Sequence, residues 1–305
     1  MQSRYPSGPT HRLLPYAALA ASITTFCVGT SFAKQLFPLV GAAGTSAYRV
    51  GFSALILLAV VRPWRFGLAR TDAWRIVRYG LALGTMNLCF YMALRTLPLG
   101  PTIAIEFLGP LTVSLLHVRR PVHVAMAGLA VAGLALLLPL RVGDRALDPV
   151  GIAFALAAAA GWGCYLVFGK RTGHLPAGQA VAFGMATAAL LVVPVGVYQA
   201  GAALLTPAWL GLGLVAALLS SAIPFSLEIV ALKHIPAHSL GVLLSLEPAV
   251  GAVAGVVLLG ETLTVAQWAA IAMVMVASIG MVATSERASG TIRVIDEEER
   301  NGHGC

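Results

Sequence analysis

Two matching stretches decide the fold of this chain. Ala93-Leu94-Arg95…Pro98…Pro110 recurs 138 positions later as Ala231-Leu232-Lys233…Pro236…Pro248. Phe32-Ala33-Lys34 recurs in the same way as Phe168-Gly169-Lys170, 136 positions later. Both matches lie inside long apolar segments. A duplicated hydrophobic unit is typical of secondary transporters, in which the substrate binds between the two copies. The repeat therefore predicts a carrier built from two related halves.

The composition predicts a protein whose solvent is lipid. Of the 305 residues, 58% are hydrophobic and only 10% are charged, whereas a soluble domain carries about 25% charged residues. The net charge of +8 would suggest nucleic acid in a soluble protein. Here the basic residues lie mainly in short loops beside apolar segments, so we expect no nucleic-acid partner. The four cysteines have no metal or redox spacing, and we predict no disulfide, no metal site and no cofactor.

Ten apolar segments are long enough, or nearly so, to cross a bilayer. Because only helices and closed barrels satisfy their own backbone in lipid, the fold class predicted is an all-α integral membrane protein with ten transmembrane helices. The segments are Leu13–Phe32, Gly44–Val61, Ile76–Leu94, Pro98–His117, Val122–Leu138, Val150–Gly169, Gln179–Tyr198, Ala208–Leu232, Ala237–Leu259 and Thr264–Thr284.

The distribution of Lys and Arg predicts the orientation in the membrane. Fifteen of these residues fall on the side that receives both termini, and four fall on the other side. By the positive-inside rule both termini are cytoplasmic. Because each copy holds five helices, the second must enter the membrane from the opposite side. We therefore expect two inverted five-helix repeats, 13–138 and 150–284, followed by a disordered cytoplasmic tail, 285–305.

Four charged residues lie inside the predicted helices: Arg49, Glu106, Glu228 and Glu247. A charge at the centre of a membrane helix costs about 2.5–3.5 kcal/mol on translocon scales, so these side chains should face a cavity or a partner. A carboxyl group in apolar surroundings can hold a proton at neutral pH. Alternation between the protonated and ionised forms is what proton-coupled transport requires.

Two prolines stand beside the carboxylates at repeat-related positions. Pro110 cannot donate a hydrogen bond to the carbonyl of Glu106, and Pro248 directly follows Glu247, so both helices should open near the carboxyl groups. Paired helix breaks in the two halves indicate the binding site of a transporter. The alternative is that both prolines are ordinary kinks of membrane helices.

The remaining candidates have two open interpretations each. Arg49 can form a structural ion pair with Glu106 or bind a substrate carboxylate. Asn87 and Tyr91 share a face of the third helix, where they can line a cavity or simply pack. Glu228 lies about one turn from Lys233, and either a functional role or a position at the cytoplasmic interface fits it.

Several motifs resemble one family. They are Ser31–Val40, Arg49, Arg62-Pro-Trp-Arg65, Glu106-Phe-Leu-Gly-Pro110, Arg119-Arg-Pro121, Pro224-Phe-Ser-Leu-Glu228, Ser245-Leu-Glu-Pro248 and Gly260-Glu-Thr-Leu263. Together they resemble the drug/metabolite transporter superfamily of the EamA type, and within it the bacterial inner-membrane threonine/homoserine exporters. The resemblance runs from about Leu14 to Thr284, nearly the whole chain.

The resemblance implies a ten-helix carrier of the bacterial plasma membrane that exports small amino acids, in exchange for protons. The same fold with another metabolite or a drug as cargo is the alternative. A membrane enzyme is a remote one, because the longest loops, about a dozen residues, hold no cluster of acids and histidines. The glycine-rich helix faces suit either internal packing or a homodimer.

Overall fold

The structure is a computed structural model that describes residues 9–117, 121–137, 147–224, 227, 235 and 243–280. Within these ranges the chain is all-α and contains no strand. The helices are α1 (Pro9–Lys34), α2 (Phe37–Val61), α3 (Arg70–Ala93), α4 (Leu99–Glu106), α5 (Leu108–His117), α6 (Pro121–Leu137), α7 (Pro149–Lys170), α8 (Ala177–Ala200), α9 (Pro207–Ala217), α10 (Glu247–Leu259) and α11 (Val265–Gly280).

Four stretches of helix are long and apolar enough to cross a membrane, namely Leu14–Lys34, Phe37–Val61, Pro149–Lys170 and Gly178–Leu205. Shorter apolar helices cover most of the other predicted segments, including those of α4 with α5, α6, α10 and α11. The prediction of an all-α protein with many apolar helices is therefore confirmed.

The second helix begins seven residues before the predicted start at Gly44. Pro38 occupies its first turn, where the missing N–H is not needed. Gly41 then has φ 71°, so two helical pieces meet at a kink inside α2. A positive φ is accessible to glycine at little cost. The hydrophobic pattern located the longer piece and missed the short one before the kink.

The fourth predicted segment is divided into two helices. α4 ends at Glu106, Phe107 forms a turn, and α5 begins at Leu108. In the second half, Ser245 and Leu246 form a turn directly before α10. Phe107 and Ser245 are 138 positions apart, the offset of the sequence repeat. Helix breaks therefore stand at matching positions in the two halves, beside Glu106 and Glu247.

Local signals fix the ends of the last helices. Gly260 ends α10 in the left-handed conformation with φ 65°. The Gln267 amide N–H donates to the Thr264 hydroxyl, and the Gln267 side chain accepts from the Thr264 amide at 2.9 Å. This reciprocal pair is a capping box, and it places the turn around Glu261 between α10 and α11.

Several helices of the first half pack antiparallel against a helix of the second half. In the pair α4 and α10, Gly100 lies against Ala252 and Ile103 lies against Gly251. The pairs α2 with α8 and α6 with α11 are packed in the same way, through Gly44 with Ala200, Gly196 with Ala43 and Ala47, Gly133 with Ala270, and Gly280 with Met126. Small residues at these contacts let the backbones approach closely.

Candidate functional site

Arg49 is buried at the centre of the bundle, with 5% of its surface exposed. Its Nε donates to Ser221 Oγ at 2.9 Å, and its Nη2 donates to the Ser220 carbonyl at 3.1 Å. The rings of Phe26 and Tyr91 lie 5.3 and 5.5 Å from the guanidinium carbon, within the range of cation–π attraction. Three other helices therefore hold the head group of this arginine in place.

A proline explains why the Ser220 carbonyl is available to Arg49. After α9 the chain forms a π-helical turn, Leu218–Ala222, and Pro224 follows. Pro224 has no N–H, so it cannot donate to the carbonyl four residues earlier. Arg49 donates to that carbonyl instead. Pro224 is also anchored, because its own carbonyl accepts from Ser22 Oγ at 2.8 Å. Such π turns are frequent at functional sites.

Within the described part of the chain, hydrogen bonds occupy only some donors of the guanidinium group. An arginine has five N–H donors, and the bonds to Ser220 and Ser221 occupy two of them. A planar fork of free N–H groups is the geometry that binds a carboxylate.

Glu106 lies near Arg49 without forming an ion pair with it. The carboxyl group is 7% exposed at the end of α4, and the Arg49 charge acts on it electrostatically. The ion pairs found in the described part of the chain involve other residues. The interpretation of Arg49 and Glu106 as a structural ion pair is therefore wrong for this conformation, because Arg49 is held by Ser220 and Ser221 instead.

Unpartnered hydroxyl groups share helices and faces with these residues. The hydroxyls of Thr30, Ser46, Ser53 and Tyr91 are buried and have no hydrogen-bond partner among the described residues. Ser46 and Ser53 lie one turn either side of Arg49 on the same face of α2. Thr30 lies one turn after Phe26, and the Tyr91 ring contacts the guanidinium. Buried polar atoms normally have partners, so these hydroxyls indicate a place for a polar molecule.

The break in the second half lies at the same level as the end of α4. Because α4 and α10 are antiparallel, the last turn of α4 lies beside the first turn of α10, which contains Glu247 and Pro248. The Glu247 carbonyl is 3.9 Å from Cys27 Sγ of α1. Pro248 is buried, and Pro110 is partly buried in the first turn of α5. The structure therefore brings both proline-associated breaks to one region of the bundle.

The three remaining predicted site residues have different environments or lie outside the described part of the chain. Tyr91 is fully buried beside Arg49. Asn87 is buried too, but its amide donates to the Leu83 carbonyl of its own helix at 2.9 Å, as expected of a packing residue. Glu228 lies outside the described residues.

The sequence reasoning missed an ion pair at one end of the bundle, which we call the Lys34 end. Lys34 Nζ is 2.7 Å from Glu261 Oε1 and donates to the Leu97 carbonyl at 2.9 Å, while Glu261 Oε2 accepts from the Leu99 amide at 2.8 Å. The pair joins α1 and the start of α4 to the α10–α11 turn. The sequence contained a signal for this ion pair, because Lys34 and Glu261 both lie on the side of the membrane for which few basic residues are predicted.

Charged residues also meet at the other end, which we call the Arg75 end. Asp72 Oδ1 is 2.9 Å from Arg75 Nη1 and 3.0 Å from His174 Nε2. At the same end, Gln179 donates to the carbonyls of Pro63 and Phe66. Each end has an open cleft, of about 500 Å³ at the Arg75 end and about 540 Å³ at the Lys34 end. Neither Arg49 nor Glu106 is among the described residues that line these two clefts.

Comparisons with known proteins identify the kind of protein to which this site belongs. The threonine/homoserine exporter RhtA of Salmonella typhimurium is 44% identical over 283 residues, which are 92% of this chain and 96% of the relative. RhtA of Escherichia coli K12 is 44% identical over 276 residues, covering 90% of this chain and 94% of the relative. A crystal structure of a protein 22% identical matches with a TM-score of 0.56 over 92% of this chain and 99% of the other, which shows a shared fold.

These similarities and the apolar helices define a membrane transporter rather than an enzyme. The family model of the EamA-like transporters matches residues 149–283, and the exporters match nearly the full length. The chain belongs to the EamA-like transporter family.

Proposed function

We propose that this protein exports threonine, homoserine or a similar small amino acid across the bacterial inner membrane, in exchange for protons. The observation that carries the proposal is the buried guanidinium of Arg49, whose bonds within the described residues occupy two of its donors and which lies near a carboxyl group without pairing with it. The names of relatives that are 44% identical over most of the chain support the choice of cargo.

The chemistry of the site suits a zwitterion. The carboxylate of an amino acid pairs with the free N–H groups of Arg49, and its ammonium group is attracted to Glu106. A hydroxyl on the side chain, as in threonine and homoserine, offers a partner for the hydroxyls of Ser46, Ser53 or Tyr91, which have none. A site built with such groups discriminates strongly against an analogue that lacks the hydroxyl.

Glu106 and Glu247 are the groups that we propose for proton coupling. The two carboxyl-bearing residues flank the paired helix breaks. When a proton occupies such a carboxyl group, its attraction for the ammonium group of a substrate is lost. Protonation from one side and release on the other would therefore exchange protons for amino acid.

We further propose that the two halves are inverted repeats that move against each other. The antiparallel pairs α2–α8 and α6–α11 join helices that the sequence repeat relates, and the pair α4–α10 joins opposite halves of two segments that it relates. Such pairing is expected near a pseudo-twofold axis in the membrane plane. With the Arg75 end in the cytoplasm, as the positive-inside rule predicts, alternate opening of the two ends would expose Arg49 to either side.

The first test is efflux of labelled threonine and homoserine from proteoliposomes, with and without an imposed pH gradient. We expect efflux that is driven by the gradient and abolished by a protonophore. Arg49→Gln should remove it, and Arg49→Lys should restore little because the fork of donors is lost. Arg65→Gln, which removes an exposed arginine, is the matched control and should transport normally.

The carboxyl groups are tested in the same assay. Glu106→Gln and Glu247→Gln should uncouple amino-acid movement from the pH gradient. Gradient-driven efflux at the wild-type rate in both variants would overturn the proton-coupling proposal. If an unrelated metabolite or drug displaces threonine from the purified protein while homoserine does not, the proposed cargo is wrong. The identification of the protein as a transporter would be unaffected.

A further inference from the structure

The cleft at the Arg75 end has the composition of an anion site. Three arginines and a histidine line it together with one aromatic ring: Arg75, Arg78, Arg171, His174 and Phe168. We call this surface the arginine cleft. It is formed by the first turns of α3, the last turn of α7 and the loop after α7, and its volume is about 500 Å³.

Part of this positive charge has no carboxylate partner in the described part of the chain. Asp72 neutralises one side of the cleft, because its carboxylate contacts both Arg75 and His174. Arg78 stacks on the Trp74 ring, with its guanidinium carbon 5.8 Å from the centroid, and forms no ion pair with a described residue. Arg171 has no ion pair among the described residues. Two guanidinium groups are therefore available to a ligand.

The surroundings of the cleft place it at a membrane surface. Trp64, Phe66 and Trp74 are exposed and lie at the same end of the bundle, as the bonds from Gln179 to Pro63 and Phe66 require. Aromatic side chains of this kind gather where hydrocarbon meets head groups. Basic pockets between membrane helices bind the phosphates of lipid head groups.

We propose that the arginine cleft binds a phosphate group through Arg78 and Arg171, with an anionic phospholipid of the surrounding leaflet as the ligand. Guanidinium groups offer pairs of parallel N–H donors that match phosphate oxygens. The acyl chains of a lipid held there would lie along the apolar surface of the helices, next to Trp74. Free phosphate has the same chemistry, so the experiment must separate the two sources.

The test measures binding to the purified full chain by isothermal titration calorimetry. The probes are dioctanoyl phosphatidylglycerol, dioctanoyl phosphatidylcholine and sodium phosphate, in a neutral detergent. We expect the phosphatidylglycerol to bind more tightly than the phosphatidylcholine. Arg78→Gln/Arg171→Gln should weaken phosphatidylglycerol binding on the order of 30-fold, since each variant side chain loses its charge-assisted hydrogen bonds to the phosphate.

A matched double variant controls for net charge. Arg65→Gln/Arg70→Gln also removes two exposed arginines near the same end but leaves the cleft intact, so its affinity should stay close to that of the wild type. An equal loss in both double variants would show only diffuse attraction, and would overturn the proposal. Absence of phosphatidylglycerol binding would overturn it as well. Binding of sodium phosphate with the same dependence on Arg78 and Arg171 would support the phosphate site and reject the lipid as its ligand.

Discussion

The two ends of the bundle are held together by different kinds of ion pair. At the Lys34 end, the side chains of Lys34 and Glu261 are 21% and 11% exposed and each also bonds to backbone. At the Arg75 end, the ion pair between the halves is His174 with Asp72, and the histidine side chain is 50% exposed. Water and salt weaken an exposed pair, whereas a pair shielded from water is costly to break.

The difference indicates which end opens more easily from this conformation. Opening the Lys34 end requires separating α1 and α4 from the α10–α11 turn, which exposes a partly buried ion pair and two backbone bonds. Opening the Arg75 end breaks an exposed ion pair beside an existing cleft, together with the two neutral hydrogen bonds from Gln179. If that end is cytoplasmic, this conformation opens more easily toward the cytoplasm, where an exporter binds its substrate.

Breaking each ion pair should have unequal effects on stability. Lys34→Met leaves Glu261 largely buried without its cation, and we expect the free energy of unfolding to fall by about 3 kcal/mol. His174→Ala removes an exposed partner of Asp72, which still has Arg75, so the expected loss is below about 1 kcal/mol. Reversible denaturation in mixed micelles measures both. Equal losses would contradict the distinction between the two ends.

The Lys34 end should also depend on the close approach of α4 and α10. A Cβ on Gly100 would lie 2.6 Å from the Ala252 Cα, so Gly100→Ala forces the two backbones apart. We expect a loss of about 2 kcal/mol, as for other overpacked contacts, together with slower transport. Gly211→Ala is the matched control, because nothing lies within 4 Å of its added methyl group. That variant should be neutral or slightly stabilised, since alanine favours helix. The same loss in both variants would mean that the contact is unimportant.

The sequence predicted more of the fold than of the site. Apolar segments and the 138-residue offset were sufficient for the helices, because a lipid environment leaves the backbone few alternatives. The break beside Glu106 was also predictable, since Pro110 lacks an N–H. The kink at Gly41 was not, because a glycine in an apolar segment carries no sign of its φ angle.

The hydrogen-bond partners of Arg49 could not be predicted from the sequence, for a different reason. Ser220 and Ser221 are more than 170 residues away along the chain, with separations of 171 and 172. Only the packing of α2 against the π turn brings them together. The expectation of an ion pair with Glu106 followed from charge alone, and charge does not reveal that the Ser220 carbonyl lacks an intrahelical donor.

The third prediction concerns access to the centre from the Lys34 end, and it has the smallest expected effect. Cys27 is fully buried, two turns before Lys34 on α1, and it contacts the Glu247 carbonyl. In protein with Cys89, Cys164 and Cys305 replaced by Ser, Glu261→Gln should accelerate maleimide labelling of Cys27 about tenfold. A tenfold faster rate corresponds to a free energy of local opening that is lower by about 1.4 kcal/mol.

The control for this experiment is the other end of the molecule. Asp72→Asn weakens the contact with His174, but that contact does not guard the path from Lys34 to Cys27, so labelling should stay at the starting rate. Addition of threonine should slow labelling in the Glu261→Gln variant if substrate binding at Arg49 closes the bundle. If Asp72→Asn accelerates labelling as much as Glu261→Gln does, the reagent enters from the Arg75 end. The buried ion pair would then not be the barrier that separates Cys27 from the surface.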